Sequence, residues 1–141
     1  MPTESEDPRD IRSIAVTADD VVAAVETNCT SDRTAVLRVT PPFSGRMRAR
    51  LHVVVETDET GAIHVTPGRL LAADAPAYPR PAETEDQLRA VDDESYTVER
   101  HREYHEMAVS EWRETTADAI VDSVTLATPT GEHDVSVHVL G

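Results

Sequence analysis

Residues 46–57 carry the sequence RMRARLHVVVET, which is the clearest strand signal in the chain. Apolar side chains occupy every second position, and the side chains between them are basic over the first half of the stretch. This alternation is typical of a strand with one buried and one exposed face, because successive side chains of a strand point to opposite sides. The predicted exposed face carries Arg46, Arg48, Arg50 and His52.

The segments next to this strand predict a β-hairpin. Residues 33–40 are rich in β-branched and aliphatic side chains and end at a Pro-Pro pair, which cannot continue a ladder of hydrogen bonds. Asp58-Glu59-Thr60-Gly61 has the composition of a turn, and it leads into the apolar residues 62–65. We therefore expect the strand at 46–57 to pair with residues 62–65 across this turn.

The remaining regular elements are predicted from apolar periodicity and capping residues. A first helix is expected at about 18–28, because Thr17 has the type and place of an N-cap. The longest helix is expected at about 97–122, with apolar or half-polar side chains three or four residues apart on one stripe that includes Trp112. The chain also predicts a short helix at 84–90 and a second hairpin formed by residues 124–128 and 133–140.

Together these elements predict an α+β fold. Helices do not alternate regularly with strands, and hairpins bracket the long helix. The expected architecture is a mostly antiparallel sheet of about five strands with one long helix packed on one face. Residues 1–13 are polar, charged and contain proline, so we expect a flexible acidic tail followed by a single α+β domain at 14–141.

The charge composition indicates an environment of high salt. The chain has no lysine, its 13 basic residues are arginine, and its 27 carboxylates give a formal net charge of −14. Carboxylates are the most effective solubilising charges, so this balance is typical of proteins adapted to molar salt. No apolar run approaches the ~20 residues of a membrane span, and residues 1–10 do not resemble a secretory signal. We therefore expect a cytoplasmic protein without a membrane partner.

A local excess of arginine is the first feature that can carry a function. Residues 33–55 contain five arginines and no carboxylate, whereas residues 83–99 contain seven carboxylates and one arginine. On a strand, the side chains of Arg46, Arg48 and Arg50 would recur about every 6.8 Å, an interval that suits successive phosphates. Arg38 belongs to the same basic region. The arginines then bind an anionic ligand or nucleic acid, form internal ion pairs with the acidic segment or the long helix, or are simply solvated.

The second feature is a pair of histidines on the long helix. His101 and His105 are four residues apart and therefore lie on one helix face, which is a geometry suited to holding a metal. The sequence between them does not match the zinc-protease pattern. The pair could bind a metal, act in acid–base catalysis with Glu106 or another carboxylate, or pack as ordinary half-buried side chains beside Trp112.

Known catalytic patterns are missing from the sequence. The five glycines are scattered, so they form no phosphate-binding loop, and there is no Gly-x-Ser-x-Gly elbow. Cys29 is the single cysteine, which excludes an internal disulfide and a metal site made only of cysteines. No cofactor is expected.

Three stretches resemble a small family of acidic haloarchaeal proteins of unknown function: residues 36–53, 96–102 and 112–115. The resemblance implies a lineage and a compartment, and it transfers no activity and no site residues. The sequence thus favours a non-enzymatic binding or interaction module whose arginine-rich strand contacts an anionic ligand or nucleic acid. The alternative is a metal-dependent or acid–base enzyme that uses His101 and His105.

Overall fold

The computed structural model describes residues 5–56, 61–92 and 96–140. Within these residues, seven strands form two sheets and three α-helices pack against them. The predicted α+β class is confirmed. The expected single sheet of about five mostly antiparallel strands with one long helix is wrong, because the strands divide between two sheets and one of these sheets is mixed.

The strands, in chain order, are β1 (Ser13–Thr17), β2 (Ala35–Val39), β3 (Arg46–Arg48), β4 (Arg50–Val53), β5 (Ile63–Val65), β6 (Ser123–Thr128) and β7 (Gly131–Leu140). The α-helices are α1 (Ala18–Thr30), α2 (Pro81–Asp92) and α3 (Val98–Asp118), and short 3-10 helices occur at Pro8–Asp10 and Pro67–Leu70. The three predicted helices and the hairpin of β6 and β7 are therefore confirmed.

The first sheet has the strand order β3-β1-β7-β6. Its central strand β1 runs parallel to both β3 and β7, while β6 and β7 form an antiparallel hairpin. The side chains of Ile14 and Val16 on β1 are fully buried, and so is most of Val137, which pairs with Ile14, whereas Val139, which pairs with Val16, is 49% exposed. The alternate residues of β1 therefore lie on the opposite, outer face.

The second sheet has the order β4-β2-β5 and is antiparallel. The predicted hairpin between 46–57 and 62–65 is wrong, because β2 lies between the two strands that were expected to pair. The strand predicted at 46–57 is also divided into β3 and β4, which belong to different sheets. Most of the turn predicted at 58–61 lies outside the described residues, and Gly61 has a positive φ of 100°.

Capping residues explain where two of the helices begin. The Thr17 hydroxyl accepts a hydrogen bond from the Asp20 backbone N–H at 3.1 Å, and the Thr97 hydroxyl accepts one from the Arg100 N–H at 3.0 Å. Each bond satisfies a donor that the first turn of a helix leaves unpaired. Asp20 also accepts a hydrogen bond from the Leu51 N–H at 3.2 Å, which ties the start of α1 to β4.

The core is aliphatic and lies beneath both sheets. Its members include Ile14, Leu37 and Leu126, and the largest fully buried side chain is Phe43. The described part of the predicted tail lies against this core. Ile11 is fully buried, and Ser5 exchanges two backbone hydrogen bonds with Phe43.

The long helix α3 packs through its second half. Trp112 is buried, its indole N–H donates to the Pro76 carbonyl at 3.1 Å, and its ring meets Tyr78 edge-on at 4.8 Å. Thr116 is fully buried one turn later, whereas Val98 at the start of the helix is 68% exposed. The buried stripe therefore begins later than the periodicity predicts.

Candidate anion-binding faces

The arginine-rich stretch is interrupted at Ala49. This residue is fully buried, and its backbone N–H donates to the Ala15 carbonyl at 2.9 Å. The chain passes from the first sheet to the second at this point, so Arg46 and Arg48 belong to β3 while Arg50 belongs to β4. The single ladder of three evenly spaced arginines that the alternation predicts is therefore divided between two sheet faces.

On the outer face of the first sheet, the pairing register places small side chains of β1 between the arginines of β3 and two polar side chains of β7. Arg46 lies beside Ser13 and Arg48 beside Ala15, with Ser136 and His138 on the far side of β1 in the same two rows. Ser13 and Ala15 are half-buried and have small side chains, so they form a floor between longer side chains. We call this feature the first-sheet groove; its residues are Ser13, Ala15, Arg46, Arg48, Ser136 and His138.

On the second sheet, three basic residues lie side by side in one row. Arg38 of β2 is in register with Arg50 on β4 and with His64 on β5. The ring of His64 lies 5.7 Å from the ring of His52, which also faces outward. Like charges directly opposite each other destabilise a sheet.

The four arginines predicted as a site differ from four arginines elsewhere that pair with carboxylates. These pairs are Arg9 with Asp7, Arg80 with Glu83, Arg89 with Glu85 and Arg113 with Glu26. Within the described residues, the side chains of Arg38, Arg46, Arg48 and Arg50 make no ion pair. The Nε atoms of Arg38 and Arg48 are buried and have no hydrogen-bond acceptor in the described part of the chain.

The acidic segment 83–99 does not supply those partners among its described residues. Its helix α2 packs against α3. Arg89 lies 3.7 Å over the ring of Tyr96, whose hydroxyl donates to Glu85 at 2.8 Å. This hydrogen bond raises the pKa of Tyr96, because the phenol must keep its proton to donate it. The described acidic residues thus make their contacts within the helical layer, while residues 93–95 lie outside the described part.

The two histidines of α3 are brought together around one hydroxyl group. Their ring centroids are 6.0 Å apart. The Thr84 Oγ1 atom lies 2.8 Å from His101 Nε2 and 2.9 Å from His105 Nδ1, and the Thr84 side chain is only 1% exposed. His101 Nε2 is also 3.0 Å from the Pro81 carbonyl, which can only accept, so this nitrogen carries a hydrogen.

A metal at this pair would need ligands from elsewhere. In the described ranges, no group of three or more His, Cys, Asp or Glu side chains has the geometry to hold a metal ion. Burial and the nearby Glu26 raise the pKa of the Cys29 thiol, so Cys29 stays protonated and is a poor ligand near neutral pH. Metal binding by His101 and His105 remains a prediction.

Sequence reasoning missed several residues of these two sites. Ser13, Ala15 and Ser136 join the arginines only through the parallel pairing of β1, which no local pattern reveals. Thr84 precedes His101 by 17 residues and meets it because α2 and α3 pack together. A helical periodicity that placed Thr84 and Leu88 on one buried face of α2 was the available signal, since both are buried.

The comparisons with known proteins place the chain in a family without transferring an activity. None of the helices in the described part of the chain has the length and apolar character needed to span a bilayer. No curated protein and no solved structure matches the sequence. One family model matches residues 1–141, and the chain therefore belongs to the family described as a domain of unknown function, DUF8009.

Proposed function

We propose that this chain is a non-enzymatic binding module that takes an anion of the phosphate type on its arginine-bearing sheet faces, through Arg38, Arg46, Arg48 and Arg50. One observation carries the proposal: buried guanidinium donors on these faces have no acceptor within the described residues of a chain that has 27 carboxylates. An anionic ligand supplies the acceptors that the described chain does not.

The energetic argument concerns the two buried Nε–H donors. A buried donor left without an acceptor destabilises a protein by roughly 1–3 kcal/mol, and by more when the group is charged. A phosphate oxygen relieves this penalty once the arginine side chain turns so that its Nε–H faces the ligand, and the planar fork of a guanidinium matches a phosphate with two parallel hydrogen bonds. Arg38 and Arg48 each present such a donor, so each is a point at which ligand binding stabilises the folded chain.

The aromatic residues favour a compact anion over single-stranded nucleic acid. Proteins that bind single strands stack the bases on aromatic side chains. This chain has one Phe, one Trp and three Tyr. Phe43 is 1% exposed and unavailable for stacking, and the others lie in α3 and in the segments before and after α2. The break at Ala49 also removes the even spacing that would follow a phosphate backbone.

The proposed setting is the molar-salt cytoplasm of a haloarchaeon, on the strength of the lysine-free, acidic composition. At about 1 M salt the Debye length is about 3 Å, so charges do not act at long range. Direct contacts between guanidinium and phosphate groups persist under these conditions. A site whose arginines contact the anion directly therefore suits this setting better than a diffuse positive surface.

The proposal is tested by calorimetric titration in about 2 M KCl with inorganic phosphate, tripolyphosphate and a single-stranded oligodeoxynucleotide. Replacing Arg38, Arg46, Arg48 and Arg50 together by Gln should weaken anion binding at least about tenfold. The matched control replaces four exposed arginines elsewhere, Arg9, Arg80, Arg102 and Arg113, and changes the net charge equally. If the parent protein binds none of the three probes while folded, the proposed function is wrong.

The enzyme alternative has one observation in its favour. The Thr84 hydroxyl lies within hydrogen-bond distance of both His101 and His105, and a hydroxyl that accepts from one imidazole and donates to the other can pass a proton between them. The hydroxyl hydrogen must then leave the Pro81 carbonyl, to which it donates at 3.1 Å. Elemental analysis of protein purified without chelator tests the metal-dependent form. Less than about 0.1 equivalent of transition metal, together with a stability that chelator leaves unchanged, would leave the pair without a metal role.

A further inference from the structure

We infer that the first-sheet groove binds the phosphate group of a phosphate monoester, with Arg46 and Arg48 on one wall and His138 on the other. This inference rests on the proposed function and names the ligand class and the face that takes it. The second-sheet row around Arg38 is not needed for it.

The groove has the width of a phosphate group. Its walls stand on β3 and β7, which are separated by β1, so the backbones of the walls are about 9.6 Å apart. Ala15 forms the floor between Arg48 and His138, and a methyl group leaves the space above it open. Ser13 lies between Arg46 and Ser136, and both hydroxyl groups are donors within the same trough.

Arg48 is a half-buried arginine without an ion-pair partner among the described residues. Its Nε atom is inaccessible to solvent and has no acceptor in the described chain, so a ligand oxygen contacts the Nη atoms first and reaches Nε only when the side chain turns. Arg46, two residues away on the same strand, is exposed and makes no ion pair with a described carboxylate. Two guanidinium groups on one wall and an imidazole on the other can surround the oxygens of a single phosphate.

The residues at one end of the first-sheet groove indicate which kind of molecule carries the phosphate group. A cavity of about 540 Å³ adjoins the groove and shares Ser13 and Arg46 with it. Asp10, Arg12 and Gly45 complete its lining. Asp10 and Arg12 carry opposite charges, so together they add no net positive charge that would attract a second phosphate, while both can form hydrogen bonds with hydroxyl groups. The cavity therefore fits the hydroxyl-bearing remainder of a sugar or polyol phosphate better than a polyphosphate.

The decisive experiment fills the groove without changing any charge. Ala15→Leu places a bulky side chain on the floor, and Ala127→Leu places the same side chain on the outer face of the edge strand β6 as the matched control. Binding of glucose 6-phosphate, glucose and inorganic phosphate is measured by calorimetry in about 2 M KCl, with the fold checked by circular dichroism.

The expected result is a loss of glucose 6-phosphate affinity of at least about tenfold in Ala15→Leu and no change in Ala127→Leu. Parent protein should bind glucose 6-phosphate more tightly than inorganic phosphate and should not bind glucose. If Ala15→Leu fails to fold, Ser136→Leu gives the same test at an exposed wall residue, with Ser123→Leu as its control.

Two outcomes separate this inference from the proposed function. If Ala15→Leu binds as the parent does while the four-arginine variant has lost binding, the groove is the wrong site and the anion-binding function stands. The double variant Arg46→Gln/Arg48→Gln should lose binding, whereas the charge-matched control Arg9→Gln/Arg80→Gln, at exposed arginines outside the binding faces, should retain it within about threefold. Loss of binding in Arg38→Gln/Arg50→Gln together with full binding in Arg46→Gln/Arg48→Gln would assign the ligand to the second sheet and overturn the inference.

A third arm distinguishes the source of the monoester. A 5′-phosphorylated oligodeoxynucleotide and its unphosphorylated form are titrated under the same conditions. Tighter binding of the 5′-phosphorylated oligodeoxynucleotide than of glucose 6-phosphate would support recognition of a phosphate monoester. It would identify the end of a nucleic acid as the molecule that carries this monoester. Equal binding of the two oligonucleotides would show recognition of internal phosphates and would overturn the monoester assignment.

Discussion

The sheet side and the helical side of this molecule differ in how their basic groups are satisfied. On the sheet side, Arg38 and Arg48 hold buried donors without an acceptor in the described chain, and strands β1 to β5 contain no carboxylate. On the helical side, His101 and His105 both contact the buried hydroxyl of Thr84. Arg89 and Arg113 there pair with carboxylates.

The difference separates groups that hold the fold together from groups that are available to a ligand. Both sets of residues are candidates for chemistry in the sequence, since each combines basic side chains at regular spacing. A basic group whose hydrogen bonds are completed inside the protein contributes to stability. A basic group whose hydrogen bonds are incomplete destabilises the fold, and an external anion that completes these bonds stabilises it. Substitutions on the helical side should therefore lower the stability of the fold. Substitutions of the sheet-side arginines should weaken anion binding without lowering stability.

The largest effect should follow from salt, because it acts on all 27 carboxylates. Lowering KCl from about 2 M to 0.1 M lengthens the Debye length from roughly 2 Å to about 10 Å, so carboxylates that ignore one another begin to repel. Salt also strengthens apolar burial, and this support is lost on dilution. We expect a loss of about 3 kcal/mol and a melting temperature at least about 10 °C lower, measured by circular dichroism.

The same dilution should sharpen the contrast between the two sides. Helix α3 carries six carboxylates, and the first five strands carry none. Amide hydrogen exchange followed at about 0.5 M KCl should therefore accelerate in α2 and α3 before it does in β1 and β2. A melting temperature that stays constant between 0.1 and 2 M KCl would contradict the interpretation of the composition as a salt adaptation.

The next largest effect is expected from Thr84→Val, which removes the hydroxyl and keeps the shape. His101 Nε2 and His105 Nδ1, on two half-buried side chains, then lose a hydrogen-bond partner. We expect a destabilisation of about 1–3 kcal/mol in chemical unfolding. Thr115→Val on the exposed face of α3 is the matched control and should change stability by less than about 0.5 kcal/mol. Equal stability of the Thr84 variant and the parent would mean that the cluster does not hold α2 to α3.

Arg48→Met should have the opposite effect on stability. The substitution removes a charged donor that has no acceptor in the described chain and keeps an unbranched apolar stem. Without ligand, the variant should therefore be as stable as the parent or more stable by about 1 kcal/mol. Affinity for phosphate should fall at least about tenfold, as measured by calorimetry. A variant that is clearly less stable and binds as tightly would place Arg48 among the structural residues.

The local elements could be predicted because their signals are local. Thr17 and Thr97 cap the helices that begin directly after them, and the hairpin of β6 and β7 follows from alternation on both sides of a glycine. The alternation in 46–57 reports which side chains share a face. It does not report which strand is the neighbour.

The division of the arginines between two sheets could not be predicted for that reason. Alternation continues through Ala49, where the chain leaves one sheet for the other, so no local pattern marks the break. The parallel pairing of β1 with β3 joins segments about 30 residues apart and depends on the packing of the whole core. The first-sheet groove forms only through this pairing. Among its residues, only the arginines could be predicted from the sequence as part of a binding site.

The smallest effect is expected at the ion pair that links α3 to α1. Both guanidinium nitrogens, Nε and Nη2, of Arg113 donate to the Glu26 carboxylate, and this contact raises the pKa of Arg113. The Arg113 side chain is half exposed, so the pair is screened by solvent and should contribute no more than about 0.2–1 kcal/mol at low salt and less in about 2 M KCl. Arg113→Gln, compared with Arg102→Gln on the same helix, should therefore leave the unfolding free energy in molar salt almost unchanged. A larger loss would mean that paired arginines on the helical side stabilise the fold even in molar salt, which would strengthen their contrast with the sheet-face arginines.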